Sequence, residues 1–279
     1  MNDFFPEHAY PPIPSLRQDY ELKVKTGIKL AKSYRVAILG MVRDCETVLP
    51  SVLKRLELFT CLFGSTNIFI YENDSIDKTK QILRDWNPRD VNYNINSSNL
   101  GLPKLGQGKD LARSQGMAML RNNLRDWFLS DSRKFDYVIV LDMDLKTGWS
   151  LHGIANSFGW IGWDMMSSNG IVYDKDTVCK SRRLFYDTWA LRFVHDASQR
   201  PNEQLNLLQF HRGEAPIKVW SNFGGLAIYT YKAFALGEAK YQPLSSRGLP
   251  ECDHVSFNTA LRENGFDKLY LNPSQICVY

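Results

Sequence analysis

Residues 135–145 read FDYVIVLDMDL. The run YVIVL, 137–141, shows no apolar/polar alternation, the pattern of a strand buried on both faces of a parallel sheet. It ends on Asp142-Met143-Asp144. Alternate residues of an extended chain share a side, so the two carboxylates project together. Reading back toward the N-terminus, residues 35–44 (RVAILGMVRD) and 67–72 (NIFIYE) repeat the pattern of a short apolar run with a polar end. The second stops at NDSIDKT, 73–79, a cluster of turn formers and helix caps. Residues 45–63 lie between these runs and carry Val48, Leu49, Val52, Leu53 and Leu56 at helical spacing. Residues 77–86 read as a helix, 91–95 as a third strand and 110–129 as a longer helix with apolar positions at Leu111, Met117, Leu120, Leu124 and Phe128. Reading forward, strands are expected near 164–172 and 217–230, and a helix near 253–264.

Strands alternating with helices predict an α/β, Rossmann-like, mostly parallel sheet flanked by helices in a single domain. Such sheets bind ligands at the carboxyl ends of their strands. Two predicted strands end in carboxylate clusters, Glu72–Asp77 and Asp142–Asp144, which therefore belong at one edge. Composition is that of a globular chain: 279 residues, 44% hydrophobic and 23% charged. The net charge of +4 is spread along the chain with no Lys/Arg block, so no nucleic-acid partner is expected. The five cysteines, Cys45, Cys61, Cys179, Cys252 and Cys277, show no zinc or redox spacing and read as reduced. MNDFFPEHAYPPIP lacks the parts of a signal peptide, and no apolar run reaches about 20 residues, so the expectation is a soluble, cytoplasmic chain without a membrane span. Residues 1–34, Pro-rich and then polar, read as an N-terminal arm with no recognisable chemistry.

Six stretches carry candidate chemistry. Asp142 and Asp144 offer hard oxygen donors suited to Mg²⁺ or Mn²⁺. The competing reading is a loop or capping pair, and the buried strand before them argues for the metal. Glu72, Asn73 and Asp74 head a polar turn able to grip a nucleoside, or simply to cap the next helix. Arg121, on the helix before the DMD strand, suits a pyrophosphate as a forked donor; the neighbouring Arg125-Asp126 reads as solvated. Residues 185–192, FYDTWALR, combine aromatic rings with Asp187 and Arg192 and suit a sugar, although Phe185, Trp189 and Leu191 also fit a core. Gly224-Gly225 permits close backbone approach or a plain turn. Glu251 and Asp253 open a helix, either as caps or as groups that deprotonate a hydroxyl. His254 is a candidate third metal ligand or a structural imidazole.

In that order, IFIYENDSIDKT, LRNNL, FDYVIVLDMDL, FYDTWALR, NFGGLAIY and ECDHVSFN resemble glycosyltransferases of the GT-A fold. Among these the chain is most similar to the capsule-associated α-1,3-mannosyltransferase family of fungi and its microbial and viral relatives, over roughly residues 35–270. The resemblance implies a GT-A domain at 35–279, with a nucleotide-sugar half at 35–146 and an acceptor half at 147–279. It implies a GDP- or UDP-sugar donor, mannose among the candidates, and a glycan or glycoprotein acceptor. Glu72, Asn73 and Asp74 would lie near the nucleoside, Arg121 near the diphosphate, and Asp142 and Asp144 at Mn²⁺ or Mg²⁺ with His254 completing the shell. Asp187, Glu251 and Asp253 would line the reacting sugar. Retention of configuration is expected; for an inverting course Glu251 or Asp253 is the candidate base. A sugar-phosphate nucleotidyltransferase would carry a Gly-rich loop after the first strand, where this chain reads GMVRDCET. A non-catalytic glycan-binding protein of the same fold is a second rival. A hydrolase elbow, G-x-S-x-G, is absent.

Overall fold

The computed structural model describes residues 5–106, 108–175, 181–198 and 202–279. Its strands are β1 (Arg35–Val42), β2 (Ser65–Asn73), β3 (Asn92–Ser98), β4 (Tyr137–Asp142), β5 (Gly148–Trp149), β6 (Met165–Lys175), β7 (Ser181–Phe185), β8 (Arg192–Phe193), β9 (Ile217–Ser221), β10 (Leu226–Thr230) and β11 (Leu269–Val278). Its α-helices are α1 (Arg17–Ala31), α2 (Leu49–Thr60), α3 (Thr79–Asp85), α4 (Leu111–Leu129), α5 (Leu151–Phe158), α6 (Tyr231–Phe234) and α7 (Asp253–Glu263). One mixed sheet runs β3-β2-β1-β4-β10-β6-β11-β9-β8, with β5 on β11 and β7 on β6. β3, β2, β1, β4, β6, β11 and β8 point one way; β10, β9, β5 and β7 oppose them.

Alternate residues of β1 serve opposite cores. Val36 and Ile38 pack with Leu49, Val52, Leu56 and Phe59 of α2 and Ile154 and Phe158 of α5. Ala37 and Leu39 pack with Leu120, Leu124 and Phe128 of α4 and Phe257 and Leu261 of α7. The sheet is thus covered on both faces, as the unbroken apolar runs require, and each large side chain so buried stabilises the fold by about 1.5–3 kcal/mol. Two of its helices start on a side-chain cap that the sequence supplies: Asp110 accepts the Arg113 N–H for α4, and Ser150 the Gly153 N–H for α5.

Three features differ from expectation. The segment 217–230 is two strands, because Gly224 (φ 65°) and Gly225 (φ 92°) turn the chain, sending β9 outside β11 and β10 between β4 and β6. β11 is a full strand despite Asn272-Pro273-Ser274-Gln275, its register against β6 shifting between Asn272 and Ile276. Within the arm, residues 17–31 form α1, whose buried Tyr20, Val24, Gly27 and Ala31 lie along one stripe. A methyl at Gly27 would sit 1.7 Å from the Ala155 carbonyl oxygen, and one at Gly159 would sit 2.2 Å from that of Lys23, so α1 and α5 cross backbone to backbone. Ahead of α1, Phe5 and Tyr10 pack on Ile171, Ile276 and Val278. The Glu7 carboxylate takes Arg212 at 2.6 Å and the Ser150 hydroxyl at 2.8 Å.

Cys45, Cys61, Cys252 and Cys277 are free thiols; Cys179 lies outside the described residues. Among the described residues no helix is long and apolar enough to cross a membrane.

Candidate active site

Parallel register sets the carboxylate clusters side by side: Val42 pairs with Glu72, and Met41 with Asp142. The loops leaving these strands are tied together by carboxylates that accept backbone N–H groups. Asp44 takes Ile76 at 2.9 Å, Asp77 takes Glu46 at 3.0 Å, and Glu46 takes Lys78 at 2.9 Å. Asp74, left-handed at φ 53°, gathers the amides of Leu100 at 2.7 Å and Gly101 at 2.8 Å. The Asn73 amide bond and these backbone amides hold its carboxyl below the usual range. Glu72 is fully buried, accepting from the Ser75 N–H at 2.8 Å and from the Ser97 hydroxyl. Asn73, also buried, donates to Asp74 at 3.0 Å. Glu72 and Asn73 therefore shape the turn from within, and Asp74 holds the 100–102 loop.

The second cluster surrounds one guanidinium. Arg121, on the inner face of α4, is 6% exposed. It meets Asp142 at 3.5 Å and makes a closer ion pair through Nε with Asp253, the first residue of α7. Burial opposes its charge, but Asp253 and Asp142 more than offset this and push its pKa up. Burial works against the Asp253 carboxylate too, and Arg121 outweighs it, so Asp253 stays ionised. Asp142 goes the other way: burial and the nearby Asp144 outweigh Arg121 and raise it to about 6. Asp144 is exposed as a residue, yet burial of its carboxyl raises its pKa too. Tyr279 donates its hydroxyl to Asp142 at 2.5 Å.

Asp187 completes the cluster. It sits left-handed at φ 70° after β7 and accepts the Gly224 N–H at 3.1 Å. A Cβ on Gly224 would lie 2.2 Å from the Ser168 carbonyl oxygen, so only glycine brings that N–H to the carboxylate. Burial pushes Asp187 up to about 7, with Asp142 and Asp253 adding to the rise. Its folded pKa exceeds its unfolded one, so the stability it contributes is present in acid and lost as pH climbs from about 4 to 7. In the metal-free protein, Asp187→Asn is expected to flatten that decline by up to about 1 kcal/mol per pH unit. Urea denaturation at pH 5 and pH 8 in chelator measures this, and parallel pH profiles would contradict it.

Other candidates are differently engaged. Glu251 is buried against Arg192 at 2.7 Å and accepts the Cys252 N–H at 3.0 Å. His254 is buried with both ring nitrogens unpartnered, its ring stacked 3.8 Å from Phe223. Burial and then Arg121 hold it neutral. Among the described residues no three His, Cys, Asp or Glu side chains converge in metal-binding geometry. Arg125, expected in solvent, is 1% exposed because Phe234 and Leu236 offer it carbonyl oxygens at 3.2 and 2.5 Å; Asp126 is on the surface, paired with Lys240. Phe185 and Leu191 are core residues, and Trp189 is half-buried.

The sequence profile of the family described as Cryptococcal mannosyltransferase 1 matches residues 35–262, which spans β1 through α7 and every carboxylate above. The chain belongs to this family. It carries a glycosyltransferase domain, and the fold is that of solved GT-A enzymes. The mannosyltransferase PcManGT from Pyrobaculum calidifontis, solved with GDP-Man and Mn²⁺, is 13% identical over 95% of this chain and 66% of its own, at TM-score 0.51. S. aureus TarS 1–349 is 12% identical over 87% of this chain and 59% of its own, at TM-score 0.48. The inositol-1-phosphate CTP transferase from T. maritima, at 10% identity and TM-score 0.39, covers 88% of this chain and 86% of its own. The chain thus spans under two thirds of the TarS and PcManGT chains. No curated protein sequence matches it. The site also gains Tyr279, from outside the family's motif stretches, and Tyr186 and Phe223, from within them. Of these, Phe223 adjoins the Gly pair that the sequence flags, while Tyr279 has no sequence signal, its partner Asp142 lying in a different strand.

Proposed function

We propose that this domain moves a hexose, mannose in the first instance, from a nucleotide-diphosphate sugar to a glycan hydroxyl. The observation that carries the reading is that Asp142, at the end of β4 just before Asp144, shares the buried Arg121 with Asp253, while Asp187 feels the charge of both. This excess of negative charge favours a cation there. Asp142 and Asp144 fit a hard divalent ion and would hold Mn²⁺ or Mg²⁺. Such an ion, when bound, neutralises the diphosphate as it leaves. PcManGT shares the fold and was solved with GDP-Man and Mn²⁺, so GDP-mannose is the first donor to try, ahead of UDP-sugars.

Each protein group has a role in this reading. Arg121 fixes the Asp142 and Asp253 carboxylates rather than reaching out to phosphate. The carboxylates of the 72–77 turn hold the two strand-end loops that would form the nucleoside wall. Asp187, poised to hold a proton near neutral pH, is placed to bind a hydroxyl of the transferred sugar. Glu251 and Asp253 are each engaged by an arginine, Arg192 and Arg121, which disfavours either as a free base. That occupancy supports a retaining course, in which a leaving phosphate oxygen takes the acceptor proton. We assign residues 35–146 to the donor and 147–279 to the acceptor.

Calorimetric titration with GDP and with UDP, each with and without Mn²⁺, tests the proposal. Binding of one nucleotide only in the presence of Mn²⁺ supports it and fixes the donor class. Failure of both nucleotides under all conditions would overturn it in favour of a glycan-binding protein of the same fold.

A further inference from the structure

We infer that Tyr279 is a positioning residue that sets the orientation of Asp142 toward the cation, an inference resting on the metal reading above. The Tyr279 hydroxyl donates to Asp142 Oδ2 at 2.5 Å, while Arg121 approaches Oδ1 at 3.5 Å. A carboxylate held at both oxygens cannot rotate freely about its terminal bond. Each oxygen still keeps lone-pair capacity, since a carboxylate offers about four acceptor sites. The Asp142 backbone is fixed as well, its N–H bonded to the Gly225 carbonyl oxygen at 2.9 Å.

The tyrosine itself is held from several directions. Its N–H bonds the Ile171 carbonyl oxygen at 3.1 Å, continuing the line of β11 beside β6. Its ring lies on Tyr186, centroids 3.8 Å apart. A Cβ on Gly225 would come 2.8 Å from its hydroxyl, so the glycine clears the space that the oxygen occupies. A tyrosine held through its backbone and its ring, with room left for its hydroxyl and that hydroxyl aimed at one carboxylate, matches the outer-shell partners of metal ligands, whose loss typically costs 10–100-fold in metal affinity or activity.

The test is Tyr279→Phe, which removes only the oxygen, beside Tyr279→Leu, which also removes the ring. Free Mn²⁺ is followed by electron paramagnetic resonance as it is titrated into each protein with GDP, and separately with UDP. Tyr279→Phe is expected to weaken Mn²⁺ binding about 10-fold or more with an unchanged melting temperature. Tyr279→Leu should weaken it to a similar degree. Turnover of Tyr279→Phe should recover at saturating Mn²⁺. Wild-type affinity in Tyr279→Phe overturns the inference, and so does tighter binding, which would make the hydroxyl a competitor of the ion. A loss confined to Tyr279→Leu also overturns it, since ring packing alone would then matter. If the wild-type protein takes up no Mn²⁺ with either nucleotide, the metal reading itself falls, a result distinct from the other three.

Discussion

Asp144→Asn will cut sugar transfer by roughly a hundred- to a thousand-fold and leave thermal unfolding unchanged. The asparagine keeps the shape of the side chain and removes its charge. Asp144 is exposed, and among the described residues it makes no ion pair, so the fold has little to lose. Asp142 is a poorer probe, because its carboxylate also serves Arg121 and Tyr279. The expected loss amounts to about 3–4 kcal/mol of transition-state stabilisation, seen as a fall in kcat/KM with GDP-mannose or the donor that calorimetry selects. Activity within threefold of wild type would remove Asp144 from the metal site. A matching fall in melting temperature would turn the effect into one of folding.

Arg121→Met is expected to destabilise the protein by about 3–5 kcal/mol, the cost of leaving a buried charge without its partner. Asp253 is 4% exposed and depends on this guanidinium for its ionisation. Methionine fills similar volume, so the loss reports charge rather than packing. Two further outcomes follow from that cause. Arg121→Met with Asp253→Asn should recover much of the stability, because the stranded carboxylate is gone. The single variant should also gain stability relative to wild type as pH falls, since its Asp253 then carries a raised pKa and folds best protonated. Urea denaturation of the single and double variants decides. A double variant no more stable than Arg121→Met would mean that Arg121 acts through its packing on Phe223 and Tyr241.

The half of the fold around β1, β2 and β4 was legible because strands buried on both faces leave unbroken apolar runs. Elsewhere β6, β9, β10 and α7 also follow their patterns, but β11 and α1 were not legible, for physical reasons that differ by element. β11 carries Asn272 to Gln275, a polar run with a proline, which a one-dimensional reading takes for a loop. In space those side chains are buried: Gln275 bonds Ser168 at 2.9 Å and Asn272 bonds Ser157 at 2.8 Å. In α1, two of the four stripe residues are Gly27 and Ala31, which bring backbones close rather than add apolar bulk. Within the site, residue type and position along the chain single out Asp142, Asp144, Asp187 and Asp253 as candidates. The partners that decide what each can do, Arg121 for Asp253 and Gly224 for Asp187, come from distant segments. Pattern alone also mistook Arg125 for a solvated residue, since two carbonyl oxygens beyond β10 satisfy it.

The seating of residues 5–31 bears on how the chain is made. Glu7 closes on Ser150 and Arg212, Tyr10 on Tyr173, Phe5 on Ile276 and Val278, and α1 lies across α5. Every one of these partners leaves the ribosome long after the arm does. At the usual 5–20 residues per second, the Tyr20–Val24 stripe waits about 7 to 26 seconds for Ala155 of α5. During that interval its apolar side chains lack their packing partners, a state prone to aggregation. Synonymous changes that slow translation between α1 and β11 should therefore lower the yield of folded protein without altering a single contact in it.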